Sequence, residues 1–161
     1  MRVLGIDPGT QRTGWGVVER RGTRMVHHGH GLIVTRRDAT LEGRLLAIFE
    51  GLAAVLEEYR PGAVAVEDVF HAKHAASALK LGHARGVALV AAARAGLAVQ
   101  AYPPARVKRV VTGYGAADKV QVARMIAAFL GLAEPPRADA ADALAIALCH
   151  ASALAVAGAT T

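Results

Sequence analysis

The chain has 161 residues, 53% of them hydrophobic and 20% charged, with 19 Lys and Arg against 13 Asp and Glu for a formal charge of +6. That length bounds one domain with a real core, and the apolar fraction excludes a disordered chain. The single cysteine, Cys149, excludes an internal disulfide and suits a reducing cytosol, and interruptions at Arg94, Gly96 and Gln100 hold the apolar runs below membrane-spanning length.

The chain opens directly on a strand pattern, Val3 to Asp7, with no signal-peptide core before it. An apolar run of this type is buried on both faces, yet it ends in Asp7, within Gly5-Ile6-Asp7-Pro8-Gly9-Thr10. Asp-Pro-Gly has backbone reasons of its own to form a turn. A carboxylate at the tip of a core strand also costs free energy unless it is paired or binds a cation. Gly14 to Arg20 and Arg24 to Val34 are the next two strands, with turns at Pro8-Gly9 and Arg21-Gly22 suited to hairpins. His27, His28 and His30 crowd the third strand, but alternation of faces makes them a poor common metal site.

Leu41 to Tyr59 has helical spacing, with Thr40 as N-cap and a stop at Pro61-Gly62. Ala63 to Glu67 is a second buried-type strand, and it too ends in acid, at Glu67 and Asp68. Ala75 to Ala95 is a long helix with Ala76, Leu79, Gly82, Gly86 and Leu89 along one side, where small residues permit close helix approach. A short strand at Leu97 to Ala101 follows, then helices at Pro103 to Val111 and Asp118 to Leu130. After Pro135-Pro136 an alanine-rich helix carries Asp139 and Asp142 three residues apart on one face, near its positive end. Acids are common in first helical turns, but this alanine face also lets the helix lie close to a sheet. The pattern is α/β: a mixed sheet, antiparallel first and parallel later, flanked by helices. It forms one domain over residues 1–154, with a loose tail at 155–161.

Four carboxylates from three elements suit hard divalent cations such as magnesium, which take oxygen ligands and substrate phosphates. Two such ions about 4 Å apart can serve the attacking and leaving oxygens of a phosphodiester displacement. A glycosidase needs only two acids and gains nothing from basic surroundings. Here the surroundings are basic. No acid occurs between Val69 and Ala117, a stretch that holds Lys73, Lys80, Arg85, Arg94, Arg106, Lys108 and Arg109, with Lys119 and Arg124 after it. A cationic stripe beside an acid cluster points to nucleic acid held by its phosphates. His71 and His74 sit within that stripe, where phosphate or sugar contact is reasonable; no cysteine pair accompanies them to make a zinc site.

Taken in order, Gly5-Ile6-Asp7-Pro8-Gly9, Thr13-Gly14-Trp15-Gly16, Val66-Glu67, Val69-Phe70, Ala78-Leu79-Lys80-Leu81-Gly82, Ala84-Arg85-Gly86-Val87 and Ala138-Asp139-Ala140-Ala141-Asp142-Ala143 resemble the RuvC-type Holliday junction resolvases of bacteria, nearly end to end. The resemblance implies a ribonuclease H-like fold with a five-stranded sheet, a homodimer whose contact lies on the Ala75 to Ala95 helix, and paired symmetric nicking of four-way DNA junctions in recombination and repair. It implies two magnesium ions per site, with manganese as a substitute, held by Asp7, Glu67, Asp139 and Asp142, and 5′-phosphate and 3′-hydroxyl ends. Lys119 would support transition-state charge, Lys108 would contact DNA, and Phe70 would stack on unpaired bases at the junction centre. Lys73, Lys80 and Arg85 are further expected DNA contacts. The RuvA and RuvB branch-migration proteins are implied partners, in a bacterial cytoplasm at the nucleoid. Two other classes share features with the chain. The phosphate loop of actin, hexokinase and Hsp70-type ATP-binding proteins looks like Ile6-Asp7-Pro8-Gly9-Thr10, but they need two such domains. A non-cleaving junction-binding module would have no use for four carboxylates.

Overall fold

The computed structural model describes residues 1–68 and 75–158. Strands β1 (Arg2–Asp7), β2 (Arg12–Arg21), β3 (Arg24–Val34), β4 (Ala63–Glu67) and β5 (Val99–Tyr102) form one sheet in the order β3-β2-β1-β4-β5. The β1–β2 and β2–β3 pairs are antiparallel, and β1–β4 and β4–β5 are parallel. This is the expected mixed sheet. Helices α1 (Leu41–Tyr59) and α2 (Ala75–Arg94) cover one face, and α3 (Pro104–Thr112), α4 (Lys119–Leu130) and α5 (Ala138–Gly158) cover the other.

Each strand of the centre is read twice. Val17 packs with Leu4, Ile6, Ile48 and Leu52 under α1 and α2, while its neighbour Val18 packs with Val3, Leu144 and Ile146 on the α5 side. Alternation along a strand whose two faces are both covered gives this division. Thr40 caps α1 as expected, its hydroxyl accepting from the Gly43 amide at 3.3 Å. Asp118 is the cap of α4 rather than its first residue, and it forms a capping box with Gln121.

Several boundaries differ from expectation. β5 begins at Val99, because Gly96, at φ 73°, and Leu97 are used to close α2: their amides donate to the Ala93 and Ala92 carbonyls. α5 continues through Gly158, so the tail does not start at Ala155; alanine, the strongest helix former, carries the helix on until glycine. Ala138–Ala155 is also long and apolar enough, by length and composition, to cross a membrane, contrary to the expectation from sequence; most of it is buried beneath α3 and α4 and against the sheet.

A further departure concerns the histidines. A bulge between Val17 and Val18 leaves His28 as the extra residue opposite β2. Strict alternation is therefore broken, and His27 Nε2 meets His30 Nδ1 at 2.8 Å, whereas His28 meets Glu19 Oε2 at 2.8 Å. Burial holds His27 and His30 below the ordinary histidine value.

Candidate active site

The parallel register of β1 and β4 sets Ile6 beside Val66, so the residues that end the two strands, Asp7 and Glu67, emerge side by side at one edge of the sheet. The other acids arrive from α5, and glycine decides how near they come. Gly5 and Gly16 are paired across β1 and β2, and Gly14 pairs with Asp7. A β carbon at Gly5 would collide with the Ala143 carbonyl oxygen, and one at Gly14 with that of Asp139. The helix backbone thus lies directly on the strand backbone. No other residue type allows that distance.

Asp7, Glu67, Asp142, Lys108 and Lys119 line a common cavity of about 260 Å³, closed by Val107, Val122 and Ala145. Lys119 Nζ donates to Asp142 Oδ2 at 2.8 Å. As the first residue of α4, Lys119 stands at the positive end of that helix, where a cation has no local reason to be. Its reason is tertiary: hydrogen bonding to Asp142 first, then the charges of Asp142, Asp7 and Asp139, push the ammonium above its ordinary value and keep it protonated.

The Asp7 carboxyl is raised to about 7, by burial first and then by the charges of Asp142, Glu67 and Asp139, with Lys119 opposing. Glu67 is also raised, by burial first and then by Asp142, with Lys119 and Lys108 opposing. These acids repel one another, and two lysines do not compensate them in full. A hard divalent cation would reverse both causes, and the donor set fits one: oxygen atoms only, with no nitrogen or sulfur ligand. Among the described residues, however, no three acids are gathered closely enough to close around an ion. Asp139 is the outlier. It lines a neighbouring cavity with Gly9, Arg12, Arg44 and Lys80, near enough to act on Asp7 but outside the pocket that holds the other three.

Of the other expected DNA contacts, Lys80 is exposed and shares the cavity of Asp139. Arg85 is half-buried on α2, and its Nε is enclosed without a hydrogen-bond partner among the described residues. Phe70, Lys73, His71 and His74 lie outside the described residues. Arg12 and Arg44, which precede the acid-free stretch and were not singled out from sequence, also line the cavity of Asp139. Cys149 is enclosed in α5, where burial pushes its thiol up.

A family model described as Crossover junction endodeoxyribonuclease RuvC matches residues 3–150. The chain belongs to this family. A curated member from Sorangium cellulosum is 55% identical over 153 residues, covering 95% of this chain and 86% of that one. The Geobacter sulfurreducens member is 54% identical over 152 residues, covering 94% and 93%. Thermus thermophilus RuvC, solved in complex with Holliday junction substrate, superposes with a TM-score of 0.92 at 41% identity, over 98% of this chain and 96% of that chain. The protein is accordingly an endodeoxyribonuclease with the ribonuclease H-like fold, and the acid cavity at the β1–β4 edge is where phosphodiester chemistry is to be sought.

Proposed function

We propose that the chain resolves four-way DNA junctions by paired, symmetric, metal-dependent nicks, with Asp7, Glu67, Asp139 and Asp142 as the metal-holding acids of each site. Nucleases of this family depend on metal. The acid-only donor set favours magnesium, with manganese as a substitute, in two ions per site. When bound, these ions supply the positive charge that activates the attacking water and stabilises the departing 3′ oxygen. The protein's own side chains do the rest. Asp7 and Glu67, held rigidly at adjoining strand ends, set the line of attack. Lys119, kept protonated by Asp142, stabilises charge developing on the scissile phosphate. Lys108 positions the strand as a half-buried cation across the cavity. Phe70 stacks on unpaired bases, and Lys73 and Arg85 add phosphate contacts.

The observation that carries this reading is the meeting of Asp7, Glu67 and Asp142 with Lys108 and Lys119 around one cavity, where burial and the neighbouring acids raise the Asp7 carboxyl to about 7, a state that a cation site explains and a structural turn does not. Incubating the protein with a synthetic four-way junction tests it. Paired nicks with 5′-phosphate ends are expected with magnesium and none in chelator.

The second copy docks on α2. The helix buries Ala84, Ala88, Ala91 and Ala92 against its own sheet and turns a different stripe outward. Leu79 is 64% exposed and Val90 60%, and a β carbon at Gly82 or Gly86 would meet nothing within 4 Å. Leu46 and Phe49 of α1 extend this apolar face, and a two-fold pairing there gives one active site for each of two symmetric strands. The setting is the bacterial cytoplasm at the nucleoid, and RuvA and RuvB are the proposed partners.

A further inference from the structure

Asp139 lines a second cavity, of about 740 Å³, bounded by the Gly9–Arg12 turn, Arg44 of α1 and Lys80 of α2. Among the described residues its charged side chains are three cations and Asp139, so apart from Asp139 it is a place for an anion.

The wall is stiff. Thr13, wholly buried, donates to the Gly9 carbonyl at 2.9 Å and accepts from the Gly9 amide at 3.3 Å. The Thr35 hydroxyl donates to the Thr10 carbonyl at 2.7 Å, and the Thr35 amide donates to the Gln11 carbonyl at 3.1 Å. Three consecutive carbonyls are thus drawn into the protein's own hydrogen bonds, which limits the repulsion that an incoming phosphate would meet.

Arg44 is equally fixed. Its Nε donates to the Ala39 carbonyl at 3.2 Å and its Nη2 to the Arg37 carbonyl at 2.5 Å. A guanidinium has five N–H donors, so three remain after these two. A side chain held in place before binding loses little rotamer freedom on binding. Arg36 nearby is different, because Asp38 already engages it at 2.6 and 3.0 Å.

We infer that this cleft is the second half of the DNA track: it holds backbone phosphates of the cleaved strand on the side of the scissile bond away from Lys108 and Lys119, with Arg44 as the fixed donor and Arg12 and Lys80 as flanking cations. The inference rests on the nuclease reading above, and it accounts for the position of Asp139. A strand that passes through both cavities meets Asp7, Glu67 and Asp142 on one side and Asp139 on the other, so the scissile phosphate lies where the two cavities adjoin. Arg12 and Arg44 act on the bound strand, not on the reacting atoms.

Junction binding measured in chelator across a salt series tests this. Arg12→Ala, Lys80→Ala and Arg44→Ala are each expected to reduce the slope of log K against log salt by about 1, the signature of one lost phosphate contact. In magnesium the loss is expected to be larger in KM than in kcat. Junctions with a single neutral methylphosphonate, stepped along the strand, locate the contact: one position on a fixed side of the cut should weaken wild-type binding yet leave Arg44→Ala binding no weaker than before. Arg44→Ala also removes two bonds to the 37–39 loop, so its thermal melt is recorded, and Arg12→Ala and Lys80→Ala, which sever no bond to that loop, decide the matter if it unfolds. Unchanged salt slopes in those two variants overturn the inference, as does mapping of the sensitive phosphate to the Lys108 side. Failure of the wild type to nick junctions in magnesium would instead overturn the nuclease reading.

Discussion

Helices α5 and α2 lie on opposite faces of the same sheet, both rich in alanine, and they are held by different means. α5 rests on glycine, backbone against backbone, and is covered from behind by α3 and α4 until nearly every residue from Ala140 to Cys149 is buried. α2 rests on an alanine stripe and keeps Leu79 and Val90 in solvent. The helix that brings Asp139 and Asp142 to the strand ends leaves no room for even a β carbon beneath it. The helix proposed to meet a second copy has a face still to be covered. Precision at the acid cluster thus comes from a contact that no side chain can adjust, and the proposed assembly is left to side chains that can.

Gly5→Val would break that contrast most severely. Its β carbon would meet the α5 backbone, which has no flexible end to move, so a loss of about 3 kcal/mol or more is expected. At this chain length that lowers the melting temperature by roughly 6 to 12 °C and disables cleavage, as calorimetry and a junction assay would record. The equivalent test on α2, Gly86→Ala, should raise the monomer's melting temperature by a few degrees, because a β carbon there meets open space and alanine is the better helix former by about 1 kcal/mol.

Asp7→Asn is expected to lower kcat more than roughly 100-fold while junction binding persists, the scale on which losing one electrostatic stabiliser acts. Nicking at the normal rate would remove Asp7 from the site.

The pH dependence of stability sharpens the same point. Asp7 has a folded value of about 7 against an ordinary carboxylate value of 3.8. Between these limits the native state binds more protons than the unfolded state, so in chelator stability falls as pH rises from about 4 to 7. Asp7→Asn removes that part of the slope, and its melting temperature in chelator should exceed that of the wild type at pH 8 by a few degrees and not at pH 4. Magnesium should restore the wild type at pH 8, by about 2.7 kcal/mol at a hundred times its dissociation constant, and have much less effect at pH 5.

The smallest effect on the fold is expected on α2. Leu79→Glu lies in solvent, so the monomer should change in stability by no more than about 0.5 kcal/mol. Light scattering should nevertheless report a monomer, and junction products should shift from paired to single nicks.

Much of the site was legible before folding. Two apolar strands that each end in acid state their own anomaly, because burial and charge oppose each other locally, and the i, i+3 spacing of Asp139 and Asp142 survives any packing of their helix. The limits of α1 and β4 followed from caps, breakers and periodicity within the segments. The significance of Gly5, Gly14 and Gly16 was not legible, since three glycines far from any turn become one surface only when β1 and β2 pair in register. His27 and His30 were assigned to opposite faces by alternation, and a single bulge overturned it. Arg12 and Arg44 lay outside the acid-free stretch and gave no signal in one dimension.

The sequence by itself determined which segments become strands and helices, that acids end the central strands, and that the chain carries excess positive charge, because these depend on neighbours within a few positions. Only the tertiary structure decided that Asp139 stands in a different cavity from the other three acids, that Lys119 answers Asp142, and that the Gly9–Arg12 turn shares a cleft with α1 and α2. Those are distances between residues remote in the chain, fixed by how closely backbones can pack, and that depends on register and helix approach rather than on local preference.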